Sequence, residues 1–232
     1  MKKLLLLLLL LLSLGLIGCA SLNSLESLEF STSPAEAETK KILALGLTHT
    51  ENLSEARKLT DPTLVSAVVQ ELKTRNDNAL IEAEKVDKYA EKVKVSDSNT
   101  KFIGSEINER KKMGFLINSD YEDYFLQGSI NNGLIQHQLH LSIKYTSDKW
   151  RNYDSASFSD ENQVDITLIK SFAVGCSGSS CDYTEVMELN LSDDFLRSNM
   201  ETGFSTVFNS IKSTNKITIP SDYIKGYLKV AK

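Results

Sequence analysis

Near Val95 the spacing of apolar residues changes from about 3.6 to 2, so the chain must place helices first and strands after. Pro34, followed by Glu36 and Glu38, predicts a helix start that carries Ile42 and Leu43, with Leu45 and Leu47 beyond. Asn52–Arg57 is a second short candidate. Asp61-Pro62 predicts a cap with proline at the first helical position, ahead of Leu64, Val65, Val68, Val69 and Leu72. The β-branched content there leaves a buried strand open for residues 62–73. From Asn78 to Val93, Leu80, Ile81, Ala83, Val86, Tyr89, Ala90 and Val93 form an apolar stripe, and Glu82, Glu84, Lys85 and Lys88 form a solvated face.

Beyond Val95 the alternation predicts half-buried antiparallel strands. Leu139, Leu141, Ile143 and Tyr145 form one apolar set; Val164, Ile166, Leu168, Phe172 and Val174 a second; Tyr183, Met187, Leu189 and Leu191 a third. Asn131-Asn132-Gly133 predicts a hairpin between Tyr124–Ile130 and Leu134–Thr146. Trp150–Phe158, Phe204–Ile211 and Lys216–Ile219 complete the strands, and Ser192 caps a short helix. A last helix from Ser221 or Asp222 carries Ile224, Tyr227, Leu228 and Ala231. The expectation is an α+β fold: a helical N-terminal half packed on an antiparallel β meander with a short C-terminal helix, in a single domain over 34–232.

The N-terminus supplies an address. Lys2 and Lys3 precede an unbroken leucine run from Leu4 to Leu12. As a helix, Leu4–Ile17 reaches roughly 21 Å, short of the ~30 Å hydrocarbon core, which is the length of a signal peptide. Leu16-Ile17-Gly18-Cys19 resembles the lipobox of bacterial lipoprotein precursors. The resemblance implies a type II signal peptide over 1–18, a diacylglycerol-bearing Cys19, and acyl chains that fix the chain to a membrane. Ala20 after the cysteine implies sorting to the outer membrane, with the folded part facing the periplasm. Residues 19–33 are rich in Ser, Glu and Ala and predict a flexible tether. The alternative, from Leu22, Leu25 and Leu28 at every third position, is a short helix lying on the surface.

Three further words, Trp150-Arg151, Cys181-Asp182-Tyr183-Thr184-Glu185 and Ile219-Pro220-Ser221-Asp222-Tyr223-Ile224, make about half of the chain similar to a group of uncharacterised proteobacterial lipoproteins. In that group a Trp-Arg strand precedes a Cys…Cys hairpin and a closing helix. The resemblance implies no activity.

Candidates for chemistry are few. Cys176 and Cys181 flank Ser177-Gly178-Ser179-Ser180 between two strand patterns, and in an oxidising envelope they predict a local disulfide. A redox pair is the alternative, against which stands the missing Cys-x-x-Cys spacing. Of the three histidines, His137 falls in the phase of Leu139, whereas His140 falls on the polar side; their odd spacing argues against a chelating pair and hence against zinc. The sequence contains no Gly-x-Ser-x-Gly, His-Glu-x-x-His or phosphate loop. Glu185 sits in an apolar phase, where a carboxylate needs a partner, with Arg151 or Lys170 as candidates. The plainer reading opens that face to solvent near the hairpin end. Trp150, Tyr121, Tyr124 and Tyr153 form either an aromatic patch for a ligand or part of the core.

A net charge of −5 with no long basic block excludes nucleic acid as a partner. The sequence therefore predicts a non-enzymatic envelope lipoprotein without cofactor or metal, binding another envelope protein, with Glu185, Arg151 and Trp150 as contact candidates. The alternative is a carrier of a small apolar ligand or lipid in a cavity of the α+β domain.

Overall fold

The protein is described by a computed structural model that covers residues 32–110, 120–158 and 163–232. Cys19, the apolar leader and most of the tether lie outside the described residues. The fold is mixed α+β, with helices in the N-terminal half, antiparallel sheets after them and a short C-terminal helix. The chain divides into two compact units at Asn76/Asp77.

The first unit is helical. Helix α1 (Pro34–Leu43) begins where Pro34 predicts, and the Ser33 hydroxyl accepts from the Glu36 N–H at 3.1 Å. Helix α2 (His49–Ala56) carries a capping box between Thr48 and Glu51, which satisfies two N-terminal amides at once. Helix α3 (Pro62–Glu91) is one continuous helix of 30 residues, which removes the strand alternative over 62–73. Asp61 caps it by accepting from the Thr63 N–H at 2.8 Å. Ile42, Ala56, Val68 and Leu72 form this unit's core. Leu45 and Leu47 lie beyond α1 and are exposed.

The second unit begins within α3. The apolar stripe is used only in its last two turns: Tyr89 and Val93 pack on the core, whereas Leu80 and Ile81 are 61% and 53% exposed. Strands β1 (Lys94–Val95), β2 (Lys101–Ile103) and β3 (Ile107–Arg110) are short, and β2 and β3 both pair with β4 (Tyr121–Asn131) along one edge. A two-residue turn joins β4 to β5 (Leu134–Ser147), with Asn132 at φ 50° and Gly133 at φ 78°. Both central residues need positive φ in this turn type, which is why Asn-Gly is legible there.

The chain then makes β6 (Ser155–Phe158) and β7 (Gln163–Asp165), returns as the hairpin β8 (Thr167–Ser177) and β9 (Ser180–Leu191), and continues through α4 (Asp193–Ser198), β10 (Phe204–Asn209), β11 (Thr214–Ile219) and α5 (Ser221–Val230). Among the described residues the strands divide between two antiparallel sheets. One has the order β1-β2-β4-β5-β9-β8, and the other β11-β10-β6-β7.

Register aligns Tyr124 and Leu126 with Leu141 and Leu139, and these with Met187 and Leu189. That inner face, Phe208, Ile217 and Ile219 of the second sheet, and Tyr223, Ile224, Tyr227 and Leu228 of α5 make one core. Helix α5 approaches α3 closely at Gly226, where a Cβ would stand 2.5 Å from Tyr89 Cβ and 2.7 Å from the Val86 carbonyl oxygen.

Three strand expectations need correction. Residues 150–154 are not strand; β6 starts at Ser155, and the preceding segment is held by Glu185, which accepts from the Asn152 and Tyr153 N–H groups. Ile211 lies beyond β10 and is 96% exposed. Strand β8, expected to be half-buried, is exposed at every residue because, among the described residues, it is the sheet's edge and its apolar side chains meet no second layer.

Candidate functional site

Glu185, Arg151 and Trp150 are brought together at one end of the inner sheet face. Glu185 is 1% exposed, contrary to the solvent-open reading. Burying a carboxylate requires donors, and three converge on it: the Tyr145 hydroxyl and the Asn152 and Tyr153 N–H groups, the latter two at 3.1 and 3.2 Å. Neither candidate cation is its hydrogen-bond partner. Lys170 faces the other side of the sheet, over the Phe172 ring at 5.6 Å. Arg151 is held bidentately by Asp120 at 2.6 and 2.9 Å, donates to Tyr153 Oη at 3.1 Å, and lies 4.1 Å over the Tyr145 ring. Burial works against the guanidinium charge, but the Asp120 pair and the Tyr153 bond outweigh it and hold its pKa above the ordinary value.

Asn215 completes the network. It accepts from the Tyr153 hydroxyl and donates to Asp120 at 3.1 Å and to the wholly buried Glu122 at 2.6 Å. Trp150 packs against Tyr183 at 4.4 Å between ring centroids. The donors and acceptors are turned on one another, so the arrangement clamps the 150–154 segment to the sheet. Tyr145 is the diagonal neighbour of Glu185, since Ile143 is the residue paired with it. Asp120 and Asn215 carry no sequence signal of this role. The aromatic patch separates: Tyr124 and Tyr153 are core, Tyr121 lies under Lys144 at 4.8 Å, and Trp150 stays at the clamp.

The disulfide Cys176–Cys181 closes the β8–β9 hairpin. So short a loop gives a chain-entropy stabilisation of about 2 kcal/mol. The double variant Cys176→Ser/Cys181→Ser is expected to lose that amount in chemical denaturation. Reductant should bring the wild type to the same midpoint and leave the variant unmoved.

His137 is fully buried, with Nδ1 2.9 Å from Tyr227 Oη and Nε2 3.2 Å from Asp193 Oδ1, while Asp193 is also bound by Arg197 at 2.7 Å. Burial lowers the imidazole pKa, against the opposing pull of Asp193. The unfolded chain therefore takes up this proton first as pH falls, and the stabilisation from a neutral His137 is complete above ~6.5 and lost below it. The melting midpoint should fall between pH 7.5 and 5.5, and His137→Gln should flatten that slope. Equal slopes would show that His137 does not set this pH dependence.

The outer face of the larger sheet is different in character. Register places Asp123, Ser142, Val186 and Lys170 in one row across four strands, roughly 15 Å long at ~4.8 Å per strand. Lys144, Thr184 and Phe172 make the next row, and Phe125, His140 and Glu188 the row on the other side. An open groove of about 390 Å³ follows these rows, with Glu106 at its margin. His140 stacks on Phe125 at 4.5 Å and contacts Glu188 at 3.3 Å; Lys144 pairs with Asp123 at 2.7 Å. Among the described residues no three His, Cys, Asp or Glu side chains converge on a metal-sized site, and no helix is long and apolar enough to cross a membrane. No protein-family profile, curated protein or solved structure matches the chain.

Proposed function

We propose that this protein is an envelope lipoprotein, held to the outer membrane through acyl chains on Cys19, whose folded part is a non-enzymatic binding module for another envelope protein. The anchor rests on Cys19 closing a short apolar run behind Lys2 and Lys3. The binding role rests on one observation: the buried polar groups at Glu185 and Arg151 are engaged in holding a loop, while aromatic and charged groups of both signs line the open outer groove. A groove of this kind suits a polar protein surface better than a reacting small molecule.

Cross-linking with mass spectrometry in intact cells tests the reading, because Lys144 and Lys170 both line the groove and react with amine cross-linkers. A reproducible protein neighbour linked at these lysines is expected. Lipid that co-purifies with the chain, with no protein neighbour, would favour the carrier reading instead.

A further inference from the structure

We propose that strand β8 is a self-association edge, at which two copies of this chain pair antiparallel about Phe172 and join their larger sheets into one. Strand β8 pairs with β9 on one side, and all eleven of its residues are exposed, including Leu168, Ile169, Phe172 and Val174 at 42–55%. An edge strand of this length presents a row of backbone N–H and C=O groups that only another strand satisfies geometrically. Apolar side chains standing beside that row add area that water covers poorly.

The sequence of β8 favours its own copy as the added strand. The register with β9 is regular between two shifts, at Leu168/Lys170 and Val174/Ser177, so the undistorted span is 170–174. One antiparallel register pairs that whole span with itself: Phe172 faces Phe172 of the second copy, Lys170 faces Val174, and Ser171 faces Ala173. Lys170 is the one charged residue in β8. A register moved so that residue 170 is central would set two lysines opposite each other, which is repulsive.

The Phe172-centred register does the reverse. In each copy Val174 lies beside Asp182 on β9. Lys170 is then two strand spacings, roughly 10 Å, from the Asp182 backbone of the second copy, within reach of an extended lysine and a carboxylate. The bridge forms twice by symmetry, as an isologous interface demands. The lysine that would otherwise blunt this edge becomes the group that fixes its register. This inference stands apart from the lipid anchor, since it needs only the folded sheet.

The test is thiol cross-linking in the full-length Cys19→Ala chain in detergent, where the remaining Cys176 and Cys181 are tied up with each other. Under mild oxidation Phe172→Cys should form a covalent dimer roughly tenfold faster than Ile211→Cys, whose position is 96% exposed but remote from β8 in sequence. Sedimentation of the unmodified chain should show a concentration-dependent dimer. Val174→Lys and Ser171→Pro, each checked for unchanged circular dichroism, should both give monomer. Equal cross-linking rates for the two thiol variants, a monomeric wild type at high micromolar concentration, or a dimer that survives Val174→Lys would overturn the proposal.

Discussion

Tyr223→Ala is expected to cost about 4–7 kcal/mol, enough to leave the second unit marginal against a whole-domain stability of ~5–15 kcal/mol. The cause is a gap in the sheet. Strand β2 pairs with β4 along Gln127–Ser129 and β3 along Tyr121–Tyr124, which leaves the β4 edge at Leu126 between them. The Tyr223 hydroxyl fills that break: it accepts from the Leu126 N–H at 2.9 Å and donates to the Ser105 carbonyl at 2.9 Å. Its ring is 1% exposed and meets Tyr89 edge-on at 5.1 Å.

The two contributions separate by mutation. Tyr223→Phe keeps the ring and strands the amide, so it should cost about 1–3 kcal/mol; the remainder of the alanine effect is the cavity. Denaturant unfolding at constant slope measures both. A Tyr223→Phe variant as stable as the wild type would mean that the hydroxyl does not complete the sheet edge.

Glu185→Ala carries the second large effect, about 3 kcal/mol or more, because two backbone amides and a phenol lose their shared acceptor and the 150–154 segment loses its tie to the sheet. Glu185→Gln retains one acceptor oxygen and should cost less. The chain's single tryptophan, Trp150, sits on the clamped segment against Tyr183, so its fluorescence reports the loop directly. Release of the segment in Glu185→Ala should shift its emission to the red before global unfolding. Unchanged emission with unchanged stability would show that the segment is held by Arg151 and Asp120 alone.

What the sequence makes legible follows from where the physical information resides. Asn132 and Gly133 declare their turn because few residues take positive φ, and Leu139–Tyr145 declare a core face because their neighbours are all polar. Alternation in β8 carries the same pattern without the same outcome: period two says that a strand has two faces, and not whether a second layer covers either. Leu80 and Ile81 fail in the same way on α3. The join of 62–73 to 78–93 was hidden because Asn76 and Asp77 are weak helix formers without being breakers.

At the clamp, the inward phase of Glu185 was visible, and its partners were not. Two of the three are backbone amides, which have no residue signature, and Asp120 and Asn215 come from strand ends far apart in sequence. Strands β2 and β3 are too short to show a period and exist through their pairing with β4.

The proposed lipid anchor at Cys19 is open to a direct test. The direct measurement is metabolic labelling with a radioactive or clickable fatty acid, combined with the intact mass of the processed chain. The wild type should carry label and begin at a modified Cys19, while Cys19→Ala should remain an unprocessed, unlabelled precursor. If Cys19→Ala is still cleaved and reaches the same membrane fraction, the anchor at Cys19 is contradicted.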